Sequence, residues 1–392
     1  LHGVPLAVKD IFDTAGTVTA AGMPIHAGRV PGSDATAVSR LAGAGAVLLG
    51  KLQLTEGALA HHHPKITPPV NPWHQDYYAG ASSSGSGVAT AAGLCFGSLG
   101  SDTGGSIRFP AAANGLTGLK PTWGRVSRHG VFPLAPSLDH VGTLTRSAAD
   151  AGAILGVIAG PDPDDPTTLP APVPDYLADL EAGISGVRIG TDAGYNETDC
   201  DAQVVMALQA AAKVLEGLGA TLHQVKLPSP GPVVDAWADC CAVEAAISHE
   251  ATYPVHAAEY GSLANVLEAG RATRATDLMK RHHQRLAFSG ALAALFQEID
   301  LLLIPTQPRA DFTLTQEAEE FATSAGLTRF IRFATPWDMS GSPTITLPGG
   351  FTPRGLPLSF QLVGRHLDEA LLIRAGSAYQ QATDWHRRHP VL

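Results

Sequence analysis

The chain has 392 residues, 45% of them hydrophobic and 16% charged, with a formal net charge of −10; this balance excludes a disordered polymer and predicts a globular α/β protein with a large core. The acidic excess, with no stripe of Lys or Arg to neutralise successive phosphates, argues against direct nucleic-acid binding. No apolar stretch reaches the about 20 residues that span a bilayer, so no membrane partner is expected.

In chain order, residues 4–8 form a short apolar run ending in Lys9-Asp10, which predicts a buried strand with a charged pair at its C-terminal edge. Residues 34–43 predict a helix, with Asp34 as cap and Gly43 as stop, and residues 47–49 the next strand. Residues 80–118 change character, to Gly, Ser, Ala and Thr with almost no charge. Such density of small residues lets backbones approach closely and suits a backbone-lined cradle; Val88, Leu94 and Phe96 interrupt the run, which a flexible linker does not need. Residues 160–175, rich in Pro and Asp, predict an irregular surface connection. Beyond it come a strand at 187–189, a helix carrying Val204, Leu208, Ala211, Leu215 and Leu218 on one face and stopped by Gly219, and a strand at 221–227. Residues 236–296 read as helices, 301–304 and 357–363 as strands, and 368–381 as a closing helix. Strands at both ends need partners, so one continuous sheet in a single domain (1–392) is expected. Within it, 1–150 is the catalytic core, 160–335 a more helical substrate-shaping region and 336–392 the strands and helix that complete the sheet.

Cys95, Cys200, Cys240 and Cys241 include no C-x-x-C pair, which suggests neither a zinc site nor a disulfide framework and favours a reducing, cytoplasmic setting. His61-His62-His63 is a weak metal signal, because neighbours on one loop cannot all face one ion and Pro64 breaks any helix that would align them. No G-x-S-x-G elbow is present, so a Ser-His-Asp hydrolase is a poor reading. Neither a metal nor another cofactor is expected.

Three segments carry the chemistry: Lys9 after its strand, Gly80-Ala81-Ser82-Ser83-Ser84-Gly85-Ser86, and Gly100-Ser101-Asp102-Thr103-Gly104-Gly105-Ser106-Ile107-Arg108. In this order, and with Ser82 and Ser106 separated by 24 positions, they resemble the amidase signature family. Further resemblance runs through Gly118-Leu119-Lys120-Pro121-Thr122, Ser137-Leu138-Asp139 and Leu358-Ser359-Phe360-Gln361. Ala81 and Ser84 replace glycines of the family pattern, and the family's N-terminal helical region has no counterpart after Leu1. The resemblance implies a central mixed, twisted β-sheet covered by helices on both faces. It also implies Ser106 as nucleophile, Ser82, after a cis peptide bond, as proton relay, and Lys9 as base. Asp102, Arg108 and Ser83 are implied as residues that fix the loop around them.

Residue chemistry supports these roles. A serine hydroxyl needs a base with a pKa near the operating pH, and burial lowers a lysine from about 10.4 toward about 7. Consecutive N–H groups across Thr103, Gly104, Gly105 and Ser106 are candidates for an oxyanion hole. The glutamine-hydrolysing subunit of tRNA-dependent amidotransferases, the alternative reading, carries Gln where this chain has Phe109. An apolar residue there favours a small apolar or aryl amide, with ester or carbamate as side substrates, and Tyr78, Phe132 and Trp337 are candidate further walls. A homodimer is compatible with this reading.

Overall fold

The computed structural model describes residues 1–392. Its strands are β1 (Pro5–Lys9), β2 (Val47–Leu52), β3 (Gly97–Asp102), β4 (Thr117–Lys120), β5 (His140–Thr145), β6 (Arg188–Thr191), β7 (Thr221–Gln224), β8 (Leu301–Pro305), β9 (Thr344–Phe351) and β10 (Pro357–Gly364). All ten join one sheet in the order β2-β1-β3-β5-β4-β9-β10-β8-β6-β7. The outer groups β2-β1-β3 and β8-β6-β7 are parallel, and the pairings between them are antiparallel. The sheet is therefore mixed and continuous, as expected: β4, from the first third of the chain, bonds directly to β9, from its end.

Helices cover both faces, and the period-2 alternation of β10 shows which lies where. Phe360 meets Tyr379 of the helix Glu369–Ala382, and Leu358 packs on Val204 and Ala207 of Ala202–Gly217. Gln361 points the other way and donates to the Phe333 carbonyl. On that second face lie Ser84–Ala91 and Arg108–Asn114, the two helices that carry the serine-rich segments. A further group, Gly231–Ser248, Leu263–Ala272 and Ala275–Glu298, packs mainly on itself. No helix is long and apolar enough to cross a membrane.

The structure adjusts several local expectations. The first helix spans Thr36–Gly43 with Ala35 as cap, while Asp34 turns away to accept the Ala15 N–H at 2.7 Å. Residues 160–175 are irregular, yet Asp162 and Asp165 are buried and accept bonds from Ser127 and from the Arg128 amide, tying the connection to the core. Strands β5 and β9 and the helix Ala148–Ile158 have no counterpart in the sequence reading. Both strands are central and buried throughout or nearly so; Thr alternates with apolar residues in each, but Gly142 in β5 and Pro348-Gly349-Gly350 in β9 interrupt the runs. Pro348 also argues against a central strand; it is accommodated where the β9–β10 register shifts.

Candidate active site

Lys9 is the last residue of β1, and its side chain is wholly buried. Its Nζ lies 2.7 Å from Ser82 Oγ and 2.9 Å from Ser101 Oγ. Pairing of β1 with β3, Val8 opposite Leu99, brings the ends of the two strands together and so places Ser101 beside the amine. Burial lowers the Lys9 pKa to about 7, against the opposing pull of Asp102 and Asp139. A neutral amine with a free lone pair is therefore accessible near neutral pH. Ser82 follows a cis peptide bond from Ala81. The next residue ties its segment to the other serine loop: Ser83 N–H donates to the Ser106 carbonyl at 3.3 Å, and Ser83 Oγ to the Ser101 carbonyl at 3.2 Å.

Ser106 sits at the start of the helical turn leading into Arg108–Asn114 and is partly exposed to a cavity. Its hydroxyl has no hydrogen-bond partner within the protein, and Ser82 Oγ bonds only Lys9. Asp102 shapes the loop before it, accepting from Gly105 N at 2.6 Å, from Ile107 N at 3.0 Å and from the Arg108 guanidinium. Burial works against the Asp102 charge, but the adjacent Arg108 outweighs it and holds the carboxyl well below the usual carboxylate range. Arg108 continues to Asp338 at 2.6 Å and to the Ala334 carbonyl at 2.8 Å, linking the loop to the helix Thr335–Met339. Burial pushes Asp338 up, in the direction opposite to Asp102 on the same guanidinium.

These bonds narrow the set of anion donors. The Gly105 N–H is taken up by Asp102, so it is not available to an oxyanion, whereas the amides of Thr103, Gly104 and Ser106 have no acceptor within the protein. Gly105 still cannot be replaced: its φ is +127°, and a Cβ there would stand 2.3 Å from the Phe109 ring. Gly105→Ala is accordingly expected to lower kcat by about 100-fold, the order of losing one donor, and to lower the melting temperature, checked by steady-state assay and thermal denaturation.

The cavity that Ser106 faces has a volume of about 620 Å³. Tyr78, Phe109, Trp237, Phe321 and Phe330 form much of its apolar wall, and His61 and Asp239 belong to its polar lining. Of the four expected wall residues, Phe109 and Tyr78 line this cavity, and Phe132 and Trp337 do not. Phe132, with Ser101 and Asp139, lines a neighbouring cavity of about 240 Å³ that shares Ala58 and Leu134 with the first, and Trp337 is buried to 1% and donates its indole N–H to the Phe333 carbonyl as part of the core. Trp237 lies in a segment whose helical patterning marks it only as apolar, and Phe330 lies in the stretch 305–356, to which the sequence assigns no element. The three neighbouring histidines diverge: His62 reaches Ser84 Oγ and His63 the Glu259 carbonyl, while His61 faces the cavity.

The fold and this arrangement define a class. The Amidase family model matches residues 1–373, and the chain belongs to that family, the amidase signature enzymes. It is a hydrolase acting on carbon–nitrogen bonds other than peptide bonds. Among individual proteins it is similar to AmiD, an amidase-family protein of Mycobacterium tuberculosis, at 49% identity over all of this chain and 82% of AmiD. It is also similar to a glutamyl-tRNA(Gln) amidotransferase subunit from Myxococcus xanthus, at 40% identity over the whole chain and 86% of that protein. The solved peptide amidase from Stenotrophomonas maltophilia shares 31% identity, with a TM-score of 0.80 over 100% of this chain and 84% of its own.

Proposed function

We propose that this amidase hydrolyses small amides with an apolar or aryl acyl group through an acyl-enzyme on Ser106. The observation that carries the reading is the wholly buried Lys9 amine, 2.7 Å from Ser82 Oγ, its pKa lowered to about 7. Deprotonated Lys9 takes the Ser82 proton while Ser82 takes that of Ser106, once the Ser106 hydroxyl has rotated onto Ser82. The Ser106 oxygen then bonds to the amide carbon, and the carbonyl electron pair moves to oxygen, where the Gly104 and Ser106 amides meet it. Return of the electron pair breaks the carbon–nitrogen bond, and the leaving amine collects the proton through Ser82 from Lys9. Water repeats the sequence on the ester, releasing acid and regenerating Ser106. Esters and carbamates pass through the same tetrahedral oxyanion and are side substrates. No step calls for a metal or cofactor. The free thiols Cys95, Cys200, Cys240 and Cys241 support a cytoplasmic setting.

The second reading, glutamine hydrolysis for a tRNA-dependent amidotransferase, is favoured by the likeness to the Myxococcus xanthus protein. Against it stands Phe109, whose ring packs on Phe330 in the cavity wall and offers no partner to a polar glutamine side chain. A panel of aryl anilides, primary amides, carbamates and glutamine separates the two. We expect kcat/KM for the best anilide to exceed that for glutamine by at least about tenfold, the order set by one mismatched polar group; a preference for glutamine would reverse the assignment.

A further inference from the structure

We infer that Trp237 is a positioning residue for the Ser106 reaction, holding the Gly104 amide in place as an oxyanion donor while its ring forms the substrate wall; the inference rests on the Ser106 mechanism above. The helix Gly231–Ser248 brings Trp237 to the serine loop from more than a hundred residues downstream. Its indole Nε1–H donates to the Thr103 carbonyl at 2.7 Å. The ring lies so close to the next residue that a Cβ on Gly104 would stand 2.4 Å from it.

A trans peptide is planar, with its C=O and N–H on opposite sides. Anchoring the Thr103 oxygen to the indole therefore fixes the direction of the Gly104 N–H, which has no acceptor within the protein. The Ser106 amide is set in a different way. The carbonyl of its peptide, that of Gly105, accepts from Phe109 N–H at 2.7 Å, so this donor is oriented by its own helical turn. The intervening amide, of Gly105, is tied to Asp102. Of the Gly104 and Ser106 donors, one is held locally, and the other depends on a tryptophan that also touches the substrate space. Whatever the acyl group does to the indole ring is thereby transmitted to the alignment of an oxyanion donor.

Trp237→Phe keeps an aromatic wall and removes the N–H. The expected result is a fall in kcat of about 10- to 100-fold, short of or equal to loss of a whole donor, with the affinity of Ser106→Ala protein for the same anilide substrate changed less than about twofold by the added Phe substitution. The affinity of a trifluoromethyl ketone carrying the same acyl group should weaken by the same factor as kcat/KM, because its hemiketal oxygen occupies the place of the transition-state anion. An unchanged kcat in W237F, or a loss confined to ground-state binding, would overturn the inference while leaving the amidase mechanism intact; an inactive wild-type enzyme would overturn both. Trp237→Leu and Trp237→Met, which also lack the donor, give the same comparison if the Phe variant does not fold.

Discussion

Replacing Ser106 by alanine is expected to reduce amide turnover by at least about 10⁴-fold, and to abolish labelling by a fluorophosphonate, without lowering the melting temperature appreciably. The size follows from what is removed: with no oxygen to bond to the amide carbon, only the anion donors and binding remain, and in serine hydrolases these leave a small residual rate. The neutrality toward folding follows from the site. The Ser106 hydroxyl has no hydrogen-bond partner in the protein and faces the cavity, so alanine leaves no buried group unpaired. Its carbonyl, which accepts from the Ser83 N–H, is unchanged. Retained labelling in the Ser106→Ala protein would remove the nucleophile assignment, and labelled-peptide mapping would show which serine carries it instead.

Lys9→Met is expected to lower kcat by about 10³-fold, within the span typical of lost acid–base catalysis. In the wild-type enzyme, kcat/KM should rise about tenfold per pH unit below about 7 and level off above it, as the Lys9 amine loses its proton. A profile flat from acid to alkaline pH would exclude this lysine as the base. Stability should respond to the same proton with a definite sign. The folded pKa, about 7, lies below the ordinary 10.5. Between those values the unfolded chain binds a proton that the native state does not, so wild-type stability gains from this group as pH rises through that interval. Below pH 7 the protein carries the full cost of a buried ammonium, which methionine avoids. The melting temperature of Lys9→Met relative to wild type should accordingly be highest below pH 7 and fall steadily toward pH 10. Lys120, buried and also lowered to about 7 by burial, titrates in both proteins and cancels from the difference.

Legibility was uneven along the chain for physical reasons. Elements with a half-exposed face, such as Ala202–Gly217 with Leu208, Ala211 and Leu215 turned inward, declare themselves through periodicity. Strands β5 and β9 do not, because the alternation of Thr with apolar residues in each is short and broken by Gly142 or by Pro348-Gly349-Gly350. The short segments around Lys9, Ser82 and Ser106 were legible because they match the family pattern in residue type, order and spacing. The cavity wall was not: Phe109, next to Arg108, was found by its position in a motif, whereas Trp237 and Phe330 come from helices where an aromatic residue signals no more than burial. Trp337 shows the converse, an aromatic residue turned into the core by packing, while Phe132 lines the cavity beside Ser101.

By itself the sequence determined the family and the α/β class and singled out Lys9, Ser82 and Ser106 as the candidate reacting groups, since dense glycine, two serines and one lysine in fixed order are the local features of the family pattern. The tertiary structure alone decided which amides remain free for an anion, because Asp102 claims the Gly105 N–H through a bond that spacing does not reveal. It also decided what surrounds the cavity at Ser106, because residues from remote helices converge there only after the sheet has closed, and no periodicity within a single segment encodes which of its apolar side chains will meet a distant loop.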